Sequence, residues 1–324
     1  MNKKFAISLA VFAALCALPF VGAYPVFIMK ILCYALFACA FNLLLGYAGL
    51  LSFGHAAFLG GAGYATGHAL AVWGMSTVQG LVFGVMVAAA MGVVFGALAI
   101  RRSGIYFAMI TLALAQMAYF FFMQAPFTGG EDGLQAIPRG SILGIDLNND
   151  LALYYFVLMV CALSFAFCSR VVNSPFGYAL RAIKENEPRA ISLGYDVERF
   201  KLIVFVLSAA LAGLAGSLKS LVFVSVTLAD VVWHMSGLVV LMTLIGGVGT
   251  LLGPVIGALI VVVLENKVGE FGQMLASATG WNGFELLGQS VPMVIGLIFI
   301  VCVRLFRQGV VGELAHWLRT GKSP

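Results

Sequence analysis

Long apolar runs separated by short polar loops dominate the chain. Continuous hydrophobic stretches cover Phe5 to Ala23, Val26 to Leu45, Leu50 to Trp73, Val78 to Ile100, Ile105 to Met123, Leu151 to Cys168 and Leu202 to Phe223. Two shorter runs follow, Gly237 to Leu244 and Leu251 to Leu264, and a last one spans Val291 to Leu305. An α-helix rises about 1.5 Å per residue and a bilayer core takes roughly 20 residues, so most of these runs can cross a membrane as helices. A transmembrane β-barrel would show short alternating segments instead. The pattern therefore predicts an all-α, polytopic transmembrane bundle of about ten crossings, laid out as one transmembrane domain over residues 1–324.

The interruptions carry as much information as the runs. "LLLGYAGLLSFGHAAFLGGAGYATG" and "LIGGVGTLLGPVIGALI" each join two apolar segments through glycines, predicting two glycine-broken hairpins. An offset of 201 residues aligns Gly46 with Gly247, Leu50 with Leu251 and Leu51 with Leu252, which reads as an internal repeat of two halves. Unwound backbone is tolerated inside a membrane only where it lines a cavity or is buried in protein, so such breaks point to a substrate path. Gly80, Gly84, Ala88, Gly92 and Gly96 recur at every fourth residue, and Ala209, Gly213 and Gly216 make a second small-residue face. Faces of this kind let two membrane helices approach closely.

One polar stretch is unlike the rest. Residues 174–201, "SPFGYALRAIKENEPRAISLGYDVERFK", hold nine charged side chains in a protein that is only 10% charged. Ser174 followed by Pro175 is a helix start, with a capping hydroxyl and a residue that needs no amide partner in the first turn. Phe176, Ala179, Leu180 and Ile183 share one side of the predicted helix, which runs to about Glu185. Asn186 and Pro188 open a second short helix, and Gly194 closes it. The loop 169–201 is thus expected to be two ordered amphipathic helices at the membrane face. They either rest on headgroups or receive a soluble partner, and their length favours docking.

Charge sets the orientation. With the amino terminus in the cytoplasm, alternation puts Lys3, Lys4, Arg101, Arg102, Arg170, Arg181, Lys184, Arg189, Arg199, Lys201, Arg304, Arg307, Arg319 and Lys322 inside. Lys30, Arg139, Lys219 and Lys267 are left for the outer half, and residues 124–150 form an acidic outer loop. One topology satisfies the positive-inside bias throughout, with both termini cytoplasmic. The first run resembles a signal peptide at Val21-Gly22-Ala23, but its length and direct continuation into more membrane sequence favour a retained helix. The composition, 62% hydrophobic with a mean hydropathy of +1.06, excludes a soluble domain, and the net charge of +5 reports topology, not nucleic-acid binding. All six cysteines lie inside apolar runs without CxxC spacing, which argues against metal ligation and disulfides.

No catalytic motif stands out. "GKS" at Gly321 to Ser323 lacks the first glycine of a phosphate-binding loop, since that position is His316. The chain carries no HExxH and no paired carboxylates within a span, so an intramembrane enzyme has no convincing nucleophile and base. An ion-coupled secondary transporter would want an intramembrane acid, and only Glu265 comes near. Polar groups inside spans nominate Asn42, Ser52, His55 and Ser208 for a translocation path. For His55, a hydrogen bond to a neighbouring helix competes with recognition of a substrate carboxylate. His68, Lys219 and Glu265 are expected to snorkel to a surface.

"RAIKENEPRAISLGYDVERFKLIVFVLSAALAGLAGSL" resembles the cytoplasmic loop and following helix of branched-chain amino-acid ABC transporter permeases of the LivM type. "NLLLGYAGLLSFGHAAFLGGAGYATG", "FTGGEDGLQAIP" and "GGVGTLLGPVIGAL" resemble that family's early membrane motif, outer loop and late glycine turn, in the expected order from Asn42 to Leu259. The resemblance implies that Ser174 to Asp196 are coupling helices seated on an ATPase subunit, with Arg181, Lys184, Glu185 and Arg189 as the contacting residues. It further implies a second homologous permease, two ATP-binding subunits that use ATP and magnesium, and an external or periplasmic substrate-binding protein meeting residues 124–150. The chain itself would bind no cofactor or metal, hold no catalytic residue, and sit in a bacterial inner membrane. Branched-chain or other small amino acids are the expected cargo, with urea, short amides and other small solutes as alternatives in the same family.

Overall fold

The structure is a computed structural model that describes residues 15–16, 18–22, 24–142, 144–279, 293–294, 296–297, 299–300, 304 and 309–313, with side-chain environments in the helix after Gly253 described as far as Lys267. The predicted first run lies mostly, and the last run largely, outside the described residues.

Ten α-helices lie within the described residues. They are α1 (Pro25–Asn42), α2 (His55–Ala71), α3 (Thr77–Ala99), α4 (Ile105–Gln124), α5 (Asp150–Val172), α6 (Pro175–Glu185), α7 (Glu187–Ser192), α8 (Val197–Phe223), α9 (Trp233–Gly246) and α10 (Gly253–Thr279). Four two-residue strands decorate the loops: β1 (Leu134–Gln135), β2 (Ser141–Ile142), β3 (Ile145–Asp146) and β4 (Ser225–Val226). Five of the described helical segments are long and apolar enough to cross a membrane: Pro25–Ala48, Thr77–Ala99, Ile105–Gln124, Asp150–Val172 and Val197–Phe223.

Burial sorts these segments into centre and periphery. In α1 and its continuation to Ala48, 78% of the apolar window is buried, and in α8 67%. In α3, α4 and α5 the share falls to 33%, 33% and 39%. A helix that is apolar all round and buried all round is a central strut. Accordingly α1 packs on α5, α8, α9 and α10, while α8 also receives α2 and α3. The peripheral helices turn large apolar side chains outward, among them Met86, Val94, Met117, Phe120 and Leu163. That much exposed apolar surface is untenable in water and suits lipid.

The small-residue stripe of α3 is buried at all five positions. A methyl group added at Gly92 would stand 2.7 Å from Ala209 Cβ, and one at Gly96 would stand 2.7 Å from a Leu202 methyl. On the facing helix, a methyl at Gly213 would strike Ala88 and one at Gly216 would strike the Leu59 carbonyl. The two predicted faces meet each other, α3 against α8, with α2 filling the third side. Close backbone approach replaces the hydrophobic drive that lipid cannot supply.

The predicted boundaries shift where a cap or a break decides them. The run from Leu50 becomes a helix only at His55, because a glycine-led turn precedes it. The run from Leu202 begins five residues earlier, at Val197, where the Asp196 carboxylate accepts the Arg199 amide at 3.3 Å. The two short late runs are longer helices than their apolar cores, Trp233–Gly246 and Gly253–Thr279, and they pack on each other.

Candidate functional site

The charged loop folds as its caps dictate. Ser174 Oγ accepts the Gly177 amide at 3.3 Å and Pro175 takes the first helical position, so α6 starts there. Asn186 Oδ1 accepts the Arg189 amide at 3.0 Å to start α7, and Gly194, at φ +87°, turns the chain out of it. Ile183, Ala190 and Val197 close a small core of their own beneath Phe200, whose ring stacks on Phe176 at 5.5 Å. Lys201 is buried and pairs with Glu187 at 2.6 Å, tying α7 to the start of α8. Two ordered amphipathic helices result.

Their charged residues divide between two directions. Glu185 and Arg189 are exposed. Arg181 stacks over the Tyr47 ring at 5.1 Å, and Lys184 Nζ donates to the Gly46 carbonyl at 2.8 Å. Tyr47 and Gly46 belong to the widened helical turn Leu43–Ala48 that ends α1, closed by Gly49 at φ +73°. Carbonyls at a helix end lack intrahelical donors, and a lysine is well suited to meet one. Of the four predicted contact residues, Glu185 and Arg189 are exposed, while Arg181 and the ammonium tip of the otherwise exposed Lys184 touch the first glycine turn.

Asn42 then joins that turn to the second. Its side-chain amide donates to the Thr250 carbonyl at 2.9 Å and its oxygen accepts the Gly249 amide at 2.9 Å. A methyl on Gly46 would come within 2.7 Å of the Gly249 nitrogen, so the two segments aligned by the 201-residue offset are in direct contact. Only glycine permits that approach. A crevice beside Asn42 is lined by Cys39, Tyr47, Cys168 and Leu251.

The remaining nominated residues serve a second junction. Ser52 is buried, and its hydroxyl accepts the Gly54 amide at 3.1 Å just ahead of α2. His55 Nε2 lies 2.8 Å from Ser208 Oγ, and Ser208 donates to the Ala40 carbonyl at 2.5 Å. Since the serine proton goes to Ala40, Nε2–H is the donor in the imidazole contact. One hydrogen-bonded line therefore crosses from α2 through α8 to α1, with the His55 ring edged by Phe41, Phe58 and Phe205. The amides at the start of α2 are met internally as well: Phe53 N donates to Thr111 Oγ1 at 3.1 Å and Ala56 N to Ser236 Oγ at 2.9 Å.

Sequence reasoning missed Thr111, Ser236 and Thr250, which are common residues whose value comes only from distant partners. Lys219, expected at a surface, is largely buried against Asp230, whereas Glu265 keeps partial exposure while pairing with Lys30 at 3.2 Å. At the C-terminal end of α8, the loop of residues 124–150 is laced down. Arg139 donates to the Leu221 and Val222 carbonyls at 3.1 and 3.0 Å and pairs with Asp150 at 2.9 Å, while β1 pairs with β4. Among the described residues no group of three or more His, Cys, Asp or Glu side chains is placed to hold a metal ion.

A charged helical pair thus sits at one end of the central helices, with the first glycine turn bound to it and the second bound to the first, and a loop is tied to the opposite end. Residues 26–303 match the family model described as the permease component of the branched-chain amino acid transport system. The high-affinity branched-chain amino acid transport system permease protein LivM of Salmonella typhimurium is 26% identical over 299 residues, covering 84% of this chain and 70% of that protein. Its counterpart in Escherichia coli is 25% identical, covering 74% of this chain and 62% of that protein. The ribose import permease protein RbsC of Bacillus subtilis is 27% identical over 60% of this chain and 58% of its own length. No solved structure matches. The chain belongs to the family of permease components of branched-chain amino acid transport systems.

Proposed function

We propose that this chain is one of two homologous permease subunits of an ATP-binding-cassette importer that carries branched-chain amino acids inward across a bacterial inner membrane. It works with two ATP-binding subunits on the cytoplasmic side and a substrate-binding protein outside. About ten crossings with both termini in the cytoplasm follow from the charge bias. The chain hydrolyses nothing itself; ATP and magnesium act in the partner subunits.

The observation that carries this reading is the two-way division of charge on α6 and α7. Glu185 and Arg189 face away from the bundle, free to sit in a groove of an ATP-binding subunit, while Arg181 and Lys184 grip Tyr47 and Gly46. A push on α6 therefore reaches the first glycine turn through Lys184 and the second through Asn42. Glycine turns are the parts of a membrane bundle that can change backbone angle without breaking a helix. Asn42, Ser52, His55 and Ser208 set how the helices bordering the path sit against one another. The cargo is read from the names of the two LivM relatives, and an apolar bundle with few polar contacts suits a Leu, Ile or Val side chain.

The test replaces Glu185 and Arg189 together by alanine in the assembled transporter. Both are exposed, so insertion and melting should be unchanged, while ATP hydrolysis continues and uptake of labelled leucine falls at least tenfold. Uptake at the parental rate would remove the docking assignment. Binding of leucine, isoleucine, valine and urea to the external protein, side by side, decides the cargo.

A further inference from the structure

Four charged side chains from four elements gather near the outer end of the central helices. Lys30 on α1 pairs with Glu265 on α10, and Lys219 on α8 pairs with Asp230 in the short helical turn Leu228–Asp230. Both ammonium groups face one ring: Lys30 Nζ lies 6.0 Å and Lys219 Nζ 5.7 Å from the centre of Tyr34. The Lys219–Asp230 pair is well buried, with side-chain exposures of 14% and 9%. On the far side, the Asp230 backbone presses on Gly60, where a methyl would stand 3.1 Å from its carbonyl. One turn along α2, Tyr64 holds a fully buried hydroxyl with no hydrogen-bond partner among the described residues.

Charges taken out of water near or within a bilayer are costly, and the cost is recovered only with close partners. A single pair would suffice to staple two helices. Two pairs around one aromatic ring make a different object. Their net charge is zero, and each pair offers one cation and one anion, with the cation of each close to Tyr34. A molecule that itself carries one ammonium and one carboxylate can exchange partners with such a pair without changing the charge of the site. Its carboxylate takes Lys219, its ammonium takes Asp230, and the Tyr34 face adds a cation–π contact. The position fits a mouth: Lys219 is four residues from the end of α8, and Arg139 ties the outer loop to that same last turn.

We infer that Lys219, Asp230, Lys30 and Glu265 around Tyr34 form a receiving site for the zwitterionic head of an α-amino acid, opened by partner exchange at the ion pairs. The inference rests on the importer reading. It differs from it in naming residues that the coupling loop and glycine turns do not involve.

The deciding experiment replaces a whole pair by apolar residues, Lys219→Met with Asp230→Leu. A purely structural buried pair tolerates that exchange, because no charge is left unpaired. The assembled transporter is placed in proteoliposomes with saturating leucine-loaded binding protein. The expected result is parental melting and parental basal ATP hydrolysis, with leucine uptake reduced at least tenfold. Uptake within twofold of the parent at unchanged melting would overturn the site. If the double variant does not insert, Lys30→Met with Glu265→Leu is read the same way, and loss of folding in both variants assigns the cluster to structure and also overturns the proposal. Absence of ATP-driven uptake in the parent would instead strike the importer reading.

Discussion

Replacing Asn42 by leucine removes both side-chain bonds that hold the second glycine turn against the first. Each neutral hydrogen bond contributes about 0.5–1.5 kcal/mol net, and a buried group left without a partner loses about 1–3 kcal/mol more. Gly249 and Thr250 are only half-buried, so water can meet part of that loss. The structure therefore predicts a destabilisation of about 2–4 kcal/mol. At ~2–4 °C per kcal/mol the melting midpoint should fall by roughly 5–15 °C. Cys39 and Cys168 line the crevice beside Asn42 and are buried, so a thiol-reactive dye reports the transition directly. In transport assays Asn42→Leu should hydrolyse ATP while taking up leucine slowly, because the push delivered through Lys184 no longer reaches the second turn. Unchanged melting together with parental uptake would refute the idea that the two turns act as one body.

Other consequences are equally direct. Gly84→Ala drives a methyl into the Thr66–Ser217 hydroxyl pair, which are 2.7 Å apart, and should cost about 1–3 kcal/mol in melting assays, whereas Gly237→Ala meets nothing within 4 Å and should be neutral. Arg139→Met frees the Leu221 and Val222 carbonyls; stimulation of ATP hydrolysis by loaded binding protein should weaken, with most of the effect from those bonds because the Asp150 partner is 48% exposed. A cysteine at exposed Gln135 should react with an impermeant reagent from outside intact cells, and one at exposed Ala182 only after permeabilisation; the reverse pattern would invert the topology.

How much of this was legible depends on the range of the interaction. The two helices of the charged loop could be drawn from Ser174, Pro175, Asn186 and Gly194 alone, because caps act on amides two or three residues away. The α3 stripe was equally plain, since a four-residue repeat of small side chains already describes a helix face. For Lys219 the same logic misled. A lysine four residues from a helix end can reach headgroups, and nothing local reveals that Asp230 folds back over it.

By itself the sequence determined which segments are helices, where several of them start and stop, and which small-residue faces exist, all consequences of periodicity and of side chains acting on nearby backbone. Only the tertiary structure decided that α1 and α8 are the central struts, that Arg181 meets Tyr47 and the Lys184 ammonium meets Gly46, and that His55 finds Ser208. It also decided that Asn42 meets a turn more than two hundred residues away and that Lys30 meets Glu265. In so apolar a chain nearly every surface can pack on any other, so hydrophobicity places helices in the membrane without choosing their neighbours. That choice falls to close backbone contacts at glycine and to a few polar groups that must find partners where there is no water.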